Sequence, residues 1–243
     1  MGCSMSSIVF QPPPPKVRQL CSSLCLKTAD GNMIPAKFFN FNRKYTILMS
    51  HGNAEDITRV ESWVQRVFVH KIKANVMLYE YTGYSDTSIE PSEKYVYSDC
   101  EAALWFLTEI LKIPINRIVL YGRSLGSGPS CYLAEKYPEL GGLILQTPLS
   151  SIYRVILEFR FTLPGDMFAN IDRMKNITIP LLIIHGTRDE IVPMQHAKEL
   201  YKIAKSQKKQ TYYIEGAGHN NIESVAGQPL FDTMQSFIDS LDC

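Results

Sequence analysis

Ser124 stands at the centre of Gly122-Arg123-Ser124-Leu125-Gly126, directly after the apolar run Ile118-Val119-Leu120-Tyr121. Gly-x-Ser-x-Gly at the end of a strand is the sequence form of a nucleophile elbow. A serine hydroxyl is a weak nucleophile until a base takes its proton. The same chain supplies a base and an acid, each just past another apolar run. Asp189 lies in Gly186-Thr187-Arg188-Asp189-Glu190, after Leu181-Leu182-Ile183-Ile184. His219 lies in Gly216-Ala217-Gly218-His219, after Thr211-Tyr212-Tyr213-Ile214. His219 is expected to be the general base, and its glycine-rich loop lets the imidazole reach Oγ. Asp189 is expected to accept from the other ring nitrogen, fix the tautomer and stabilise the imidazolium. Glu190 competes for that role, and the place of Asp189 in the loop after its strand favours Asp189. His51, His70, His185 and His196 read as structural or exposed. The tetrahedral intermediate of such chemistry needs donors for its oxyanion. One is expected from the Leu125 backbone N–H. The other is expected from His51-Gly52-Asn53-Ala54, at the Asn53 N–H.

The elements that must position these residues follow from the pattern of apolar runs. The order Ser, Asp, His, each just past a strand, is the α/β-hydrolase order and not that of chymotrypsin or subtilisin. The serine must take a strained turn for Oγ to project, and side chains at Gly122 or Gly126 would collide with the strand or the next helix. Strands are expected at Tyr45–Ser50, Asn75–Tyr81, Ile118–Tyr121, Gly142–Gln146, Leu181–His185 and Thr211–Glu215. Helices are expected at Ile57–His70, Ser92–Lys112, after the elbow to about Tyr137, at Gln195–Ser206 and at Pro229–Leu241. Lys27 to Asn40 reads as a hairpin turning at Asp30-Gly31. This alternation predicts a mostly parallel central sheet flanked by helices. The segment Ser150–Asn176 interrupts it with Ile152, Tyr153, Val155, Ile156, Phe159, Phe168 and other apolar residues. An insertion there sits over the active site in this fold. Its side chains either line an acyl-chain groove, face a membrane, or belong to a short helix packed on the core.

The bulk properties suit a single α/β domain of 243 residues, 45% hydrophobic and 20% charged. A net charge of +1 gives no argument for nucleic acid. The Lys202, Lys205, Lys208, Lys209 cluster reads as a solvated face. Six scattered cysteines form no Cys-x-x-Cys or zinc spacing, so free thiols in a reducing compartment are expected and no metal or organic cofactor is implied. Asn176-Ile177-Thr178 is a sequon left unused outside the secretory lumen. No stretch approaches membrane-spanning length and no signal peptide is apparent. Met1-Gly2-Cys3-Ser4-Met5-Ser6 instead matches an N-myristoylation signal at Gly2, with Cys3 beside it as an S-acylation site. Two lipids are what stable attachment requires. Residues 1–20, with Pro12 to Pro15, then read as a lipid-anchored, stiff spacer, and residues 21–243 as the hydrolase domain.

Together these motifs give a resemblance that covers nearly all of the chain after the spacer. The matching stretches are Ser50-His51-Gly52-Asn53-Ala54-Glu55-Asp56, Tyr81-Thr82-Gly83-Tyr84, Pro91-Ser92-Glu93-Lys94, Leu120-Tyr121-Gly122-Arg123-Ser124, Ile184-His185-Gly186-Thr187 and Glu215-Gly216-Ala217-Gly218-His219-Asn220. The chain resembles the alpha/beta-hydrolase domain-containing protein 17 family, membrane-attached serine hydrolases that remove palmitate from cysteine thioesters. The family's triad falls on Ser124, Asp189 and His219. Arg123 stands where the family usually has Gln, Glu80 where it usually has Asp, and Gly2-Cys3 where it carries a cysteine cluster. The resemblance implies an acyl-protein thioesterase on the cytoplasmic face of the plasma membrane or an endomembrane. Its partners would be S-palmitoylated proteins and the membrane surface, and it would act as a monomer. A general lipid or carboxylic esterase would use the same triad. A non-catalytic, membrane-tethered interaction module would not need the triad intact.

Overall fold

The computed structural model describes residues 5–14, 24–84, 88–157 and 162–242. Eight strands form one sheet: β1 Leu24–Lys27, β2 Met33–Phe39, β3 Tyr45–Ser50, β4 Ala74–Tyr79, β5 Ile118–Arg123, β6 Gly142–Gln146, β7 Leu181–Gly186 and β8 Lys209–Ile214, in the order β1-β2-β4-β3-β5-β6-β7-β8. β1 and β2 pair antiparallel across the Asp30-Gly31 turn, and β2 pairs antiparallel with β4. From β4 to β8 every pairing is parallel. This is the α/β-hydrolase fold that the sequence predicts. β3, β4, β6 and β7 are buried at every residue, as expected for parallel strands covered on both faces.

The helices are α1 Met5–Val9, α2 Ile57–His70, α3 Glu93–Trp105, α4 Ser127–Lys136, α5 Ile152–Ile156, α6 Asn170–Arg173, α7 Gln195–Ile203, α8 Ile222–Ala226 and α9 Gln228–Asp239. The Asp56 carboxylate caps α2 by accepting from the Arg59 N–H, and Ser92 caps α3 by accepting from the Tyr95 N–H. The long helix expected over 92–112 is regular to Trp105 and closes in a wider turn over Phe106–Ile110. The strand expected at 75–81 stops at Tyr79, because the Glu80 carboxylate and the Tyr81 ring turn inward to hold the loop after β3.

One expectation is borne out and one changes. The segment 150–176 supplies two short helices, α5 and α6, with Ile152, Phe168 and Ile171 buried. Val155 and Ile156 line the active-site cavity, Leu157 and Leu163 are exposed, and Phe159 lies outside the described residues. The spacer read over residues 1–20 is revised for residues 5–14. There Val9 and Phe10 are buried in the main core, because two adjacent apolar side chains gain more by leaving water than by standing off the domain. No helix among the described residues is long and apolar enough to cross a membrane. Cys25, Cys100 and Cys131 are free thiols, the last two buried.

Candidate active site

β5 delivers Ser124 into a sharp turn, and α4 carries the chain away from it. Ser124 takes φ +51°, a left-handed conformation that costs a non-glycine residue of order 1–3 kcal/mol. The flanking glycines make that turn possible. A Cβ on Gly126 would lie 2.1 Å from the Ser50 carbonyl oxygen, and one on Gly122 would lie 2.5 Å from the Gly126 carbonyl oxygen. The elbow is thus wedged against the end of β3, which also begins the loop His51–Asn53.

Three loops at the C-terminal ends of β5, β7 and β8 bring the expected triad together. His219 Nε2 lies 3.0 Å from Ser124 Oγ, and His219 Nδ1 lies 2.8 Å from Asp189 Oδ2. Asp189 Oδ1 accepts from the backbone N–H groups of Ile191 (3.0 Å) and Val192 (2.8 Å). Glu190, the competitor, is exposed and takes no part in this relay. Burial alone would raise the Asp189 pKa. Hydrogen bonds from His185, His219 and the Val192 N–H outweigh it and hold the carboxyl well below the ordinary range. His185 is therefore more than a core histidine. Its Nε2 donates to the Val192 carbonyl at 2.8 Å and sits 3.3 Å from Asp189 Oδ2, behind the acid.

Asn53 and Leu125, the expected oxyanion donors, line the same cavity as Ser124 and His219. The loop bearing Asn53 is held from several sides. The Gly52 N–H donates to Glu55 Oε2 at 2.7 Å, while Glu55 Oε1 pairs with Arg123. His51 is fully enclosed, with Nε2 2.8 Å from Glu80 Oε1 and Nδ1 2.9 Å from the Gly52 carbonyl. Both ring nitrogens face acceptors, an arrangement that favours the doubly protonated ring. Burial opposes that charge, but the Glu80 carboxylate beside it lifts the pKa above its ordinary value. Glu80 and Arg123, two of the departures noted in the sequence, thus each meet an ion-pair partner at this loop.

The cavity encloses about 560 Å³, within the range of sites for small molecules. One wall is aliphatic, from Ile8, Val9, Leu149, Ile152, Val155 and Ile156. Its lining also carries Glu55, Arg59 and Arg123, which it shares with a smaller cavity of about 230 Å³ lined by Trp63 and Glu223. Sequence reasoning did not find Glu55, Tyr84, His185 or the contribution of Ile8 and Val9. Glu55, Tyr84 and His185 lay in stretches marked by the resemblance, but no spacing assigned any of them a role. Gly2 and Cys3, the expected lipidation sites, lie outside the described residues.

Comparison with known proteins gives the chain's family and fold. The serine aminopeptidase S33 family model matches residues 166–223. The chain is 38% identical over 215 residues to human alpha/beta hydrolase domain-containing protein 17B, covering 87% of this chain and 73% of that protein. It is 39% identical over 184 residues to protein 17C of Xenopus tropicalis, covering 75% of this chain and 58% of that protein. Among solved structures, the Pyrococcus furiosus esterase Pf2001 superposes with a TM-score of 0.78 at 16% identity, over 95% of this chain and 97% of that one, a likeness of fold.

Proposed function

The chain belongs to the alpha/beta hydrolase domain-containing protein 17 family, and on that premise we propose that it cleaves S-palmitoyl thioesters from protein cysteines. One observation carries the proposal: His219 bridges Asp189 and Ser124 at the floor of a cavity with one aliphatic wall. In this reading Ser124 Oγ attacks the thioester carbonyl while His219 Nε2 takes its proton. The Asn53 and Leu125 N–H groups receive the developing oxyanion. His219 returns the proton to the departing cysteine sulfur, which leaves as a thiol. The acyl chain stays on Ser124 against the aliphatic wall. Water, deprotonated by His219, then attacks the acyl-enzyme and releases the fatty acid. The charged side chains of the cavity lining face the leaving polypeptide. Lipids on Gly2 and Cys3 would hold the enzyme on the cytoplasmic face of a membrane, where palmitoylated proteins reside.

A carboxylic or lipid esterase acting through the same acyl-enzyme is the second reading, favoured by the esterase fold of Pf2001. The deciding measurement is turnover of an S-palmitoyl peptide against its matched oxygen ester by the purified chain. Preferential release of the thiol supports the thioesterase; preference for the oxygen ester, with no thiol released, would retire it in favour of the esterase.

A further inference from the structure

The Asn53 side chain is held by residues more than forty positions earlier in the chain. Its Nδ2 donates to the Val9 carbonyl at 2.6 Å, and its Oδ1 accepts from the Gln11 N–H at 3.0 Å and from the Tyr84 hydroxyl at 2.6 Å. The segment that supplies Val9 and Gln11 is itself pinned. Phe10 is buried and meets Phe168 edge-on, with ring centroids 5.9 Å apart. Phe168 is fully buried, meets Tyr97 edge-on and lies flush on Gly128 of α4, the helix that leaves the Ser124 elbow. One end of this contact chain grips the loop of the oxyanion donor, and the other grips the helix of the nucleophile. Between them Ile8 and Val9 form part of the aliphatic wall.

We propose that residues 8–11 are a positioning strap for the active site, fixing the Asn53 peptide as an oxyanion donor and closing the acyl wall. The proposal rests on the reading of Asn53 as oxyanion donor given above. Oxyanion donors act because they are placed before charge develops, and a displacement of about 1 Å costs roughly 100-fold in rate. Asn53 lies in a loop between β3 and α2. Released from Val9 and Gln11, its carboxamide would keep only Tyr84, and its peptide plane would be free to turn. A spacer, by contrast, would be neutral to catalysis on a soluble substrate. The strap also sets how much room the acyl chain has, because the Ile8 side chain faces the cavity.

The test uses the full chain with four substitutions, Phe10→Leu among them. Phe10→Ala unpins the strap. Tyr84→Phe keeps the ring and removes one bond to Asn53. Ile8→Trp narrows the wall. The readouts are kcat and KM on p-nitrophenyl butyrate and laurate, the rate of labelling by a fluorophosphonate, and the melting temperature. Phe10→Ala and Tyr84→Phe are expected to lower kcat on the butyrate between about 10-fold and 100-fold with KM unchanged. Labelling should slow in parallel, since the phosphonyl oxygen occupies the same hole. Phe10→Leu, which keeps an apolar plug, should recover most of the rate. Ile8→Trp should raise KM for laurate several-fold more than KM for butyrate. A lowered melting temperature with kcat and labelling rate unchanged in both loop variants would overturn the proposal and leave a structural contact only. An unchanged chain-length profile in Ile8→Trp would remove the strap from the acyl wall. A wild-type chain that resists the fluorophosphonate altogether would instead sink the serine-hydrolase reading beneath it, so the two failures are told apart.

Discussion

Asp189 divides its carboxylate between two tasks, one oxygen for His219 and the other for the backbone of its own loop. Replacing it by Asn keeps the size but offers His219 the wrong tautomeric partner, which in the serine-protease template costs about 10⁴-fold. Asp189→Asn should therefore lower kcat by about that factor, and Glu190→Gln, at an exposed side chain, should do little; kinetics on folded protein would reassign the acid if the ranking were reversed. The depressed pKa of Asp189 has a sign. Its stabilisation is complete above the unfolded carboxylate value of about 4 and is lost as pH falls through the folded value, so the anion persists across the neutral range. Thermal melts from pH 2 to 7 should show a shallower acid loss in Asp189→Asn than in wild type. Ser124→Ala should remove fluorophosphonate labelling with the fold intact, since one oxygen leaves a turn already shaped by Gly122 and Gly126. Those residues were all legible in the chain, because each sits at a fixed offset from a strand end. Glu55 and His185 were not. Glu55 meets Arg123 only in space, and His185 sits inside an apolar strand where its spacing to Asp189 carries no known motif.

The loop after β3 is positioned by the element beside it in the sheet. β4 ends so that Glu80 takes His51 on one carboxylate oxygen and the Ile57 N–H, at the start of α2, on the other. Breaking a buried ion pair at one partner leaves the other charge unpaired, at a cost of about 3–5 kcal/mol. Glu80→Gln should destabilise the chain by that amount in denaturant titration and loosen the oxyanion loop with it. The pH dependence runs opposite to that of Asp189. The His51 pKa is raised on folding, so its contribution is complete below the unfolded value of about 6.5 and is lost as pH rises through the folded value. Wild type should lose stability on the alkaline side more steeply than Glu80→Gln; parallel curves from pH 6 to 10 would show that His51 is not charged. At this scale the sequence is readable where elements are long. β3 and α2 fall on their expected bounds, because a buried strand is a continuous apolar run and a helix of fourteen residues shows its period. α1 and α8 span five residues each, too few to show a period, and Val9-Phe10 beside a proline run looked like a spacer because its partners lie far along the chain.

Across the whole molecule, the proposed anchor at Gly2 and Cys3 and the cavity are closer in sequence than a spacer of twenty residues would imply. Cys3 precedes Ile8 by five residues. A fully extended chain spans at most about 3.6 Å per residue, so a lipid on Cys3 starts within about 18 Å of a residue that lines the cavity. Around the same cavity Ile8, Ile156 and Ile191 are each about half exposed. A lipid-anchored chain would therefore present its acyl site to the bilayer, where the palmitoyl group of a substrate already lies. Sharing that surface raises the effective concentration of substrate without any new contact. A single myristoyl chain binds membranes only marginally, so the second lipid matters. Gly2→Ala should remove myristate and, where acylation of Cys3 follows membrane contact, palmitate as well. Cys3→Ser should leave the weak, reversible anchor. Neither substitution touches residues 8–11 or the triad, so both variants should turn over a soluble thioester at the wild-type rate. In cells both should fail to strip membrane-bound palmitoylated proteins, Gly2→Ala the more severely. Fractionation and substrate acylation, measured for both variants beside wild type, provide the test. A Gly2→Ala chain that stays on membranes and still releases palmitate would show that something other than the N-terminal lipids brings this site to its substrate.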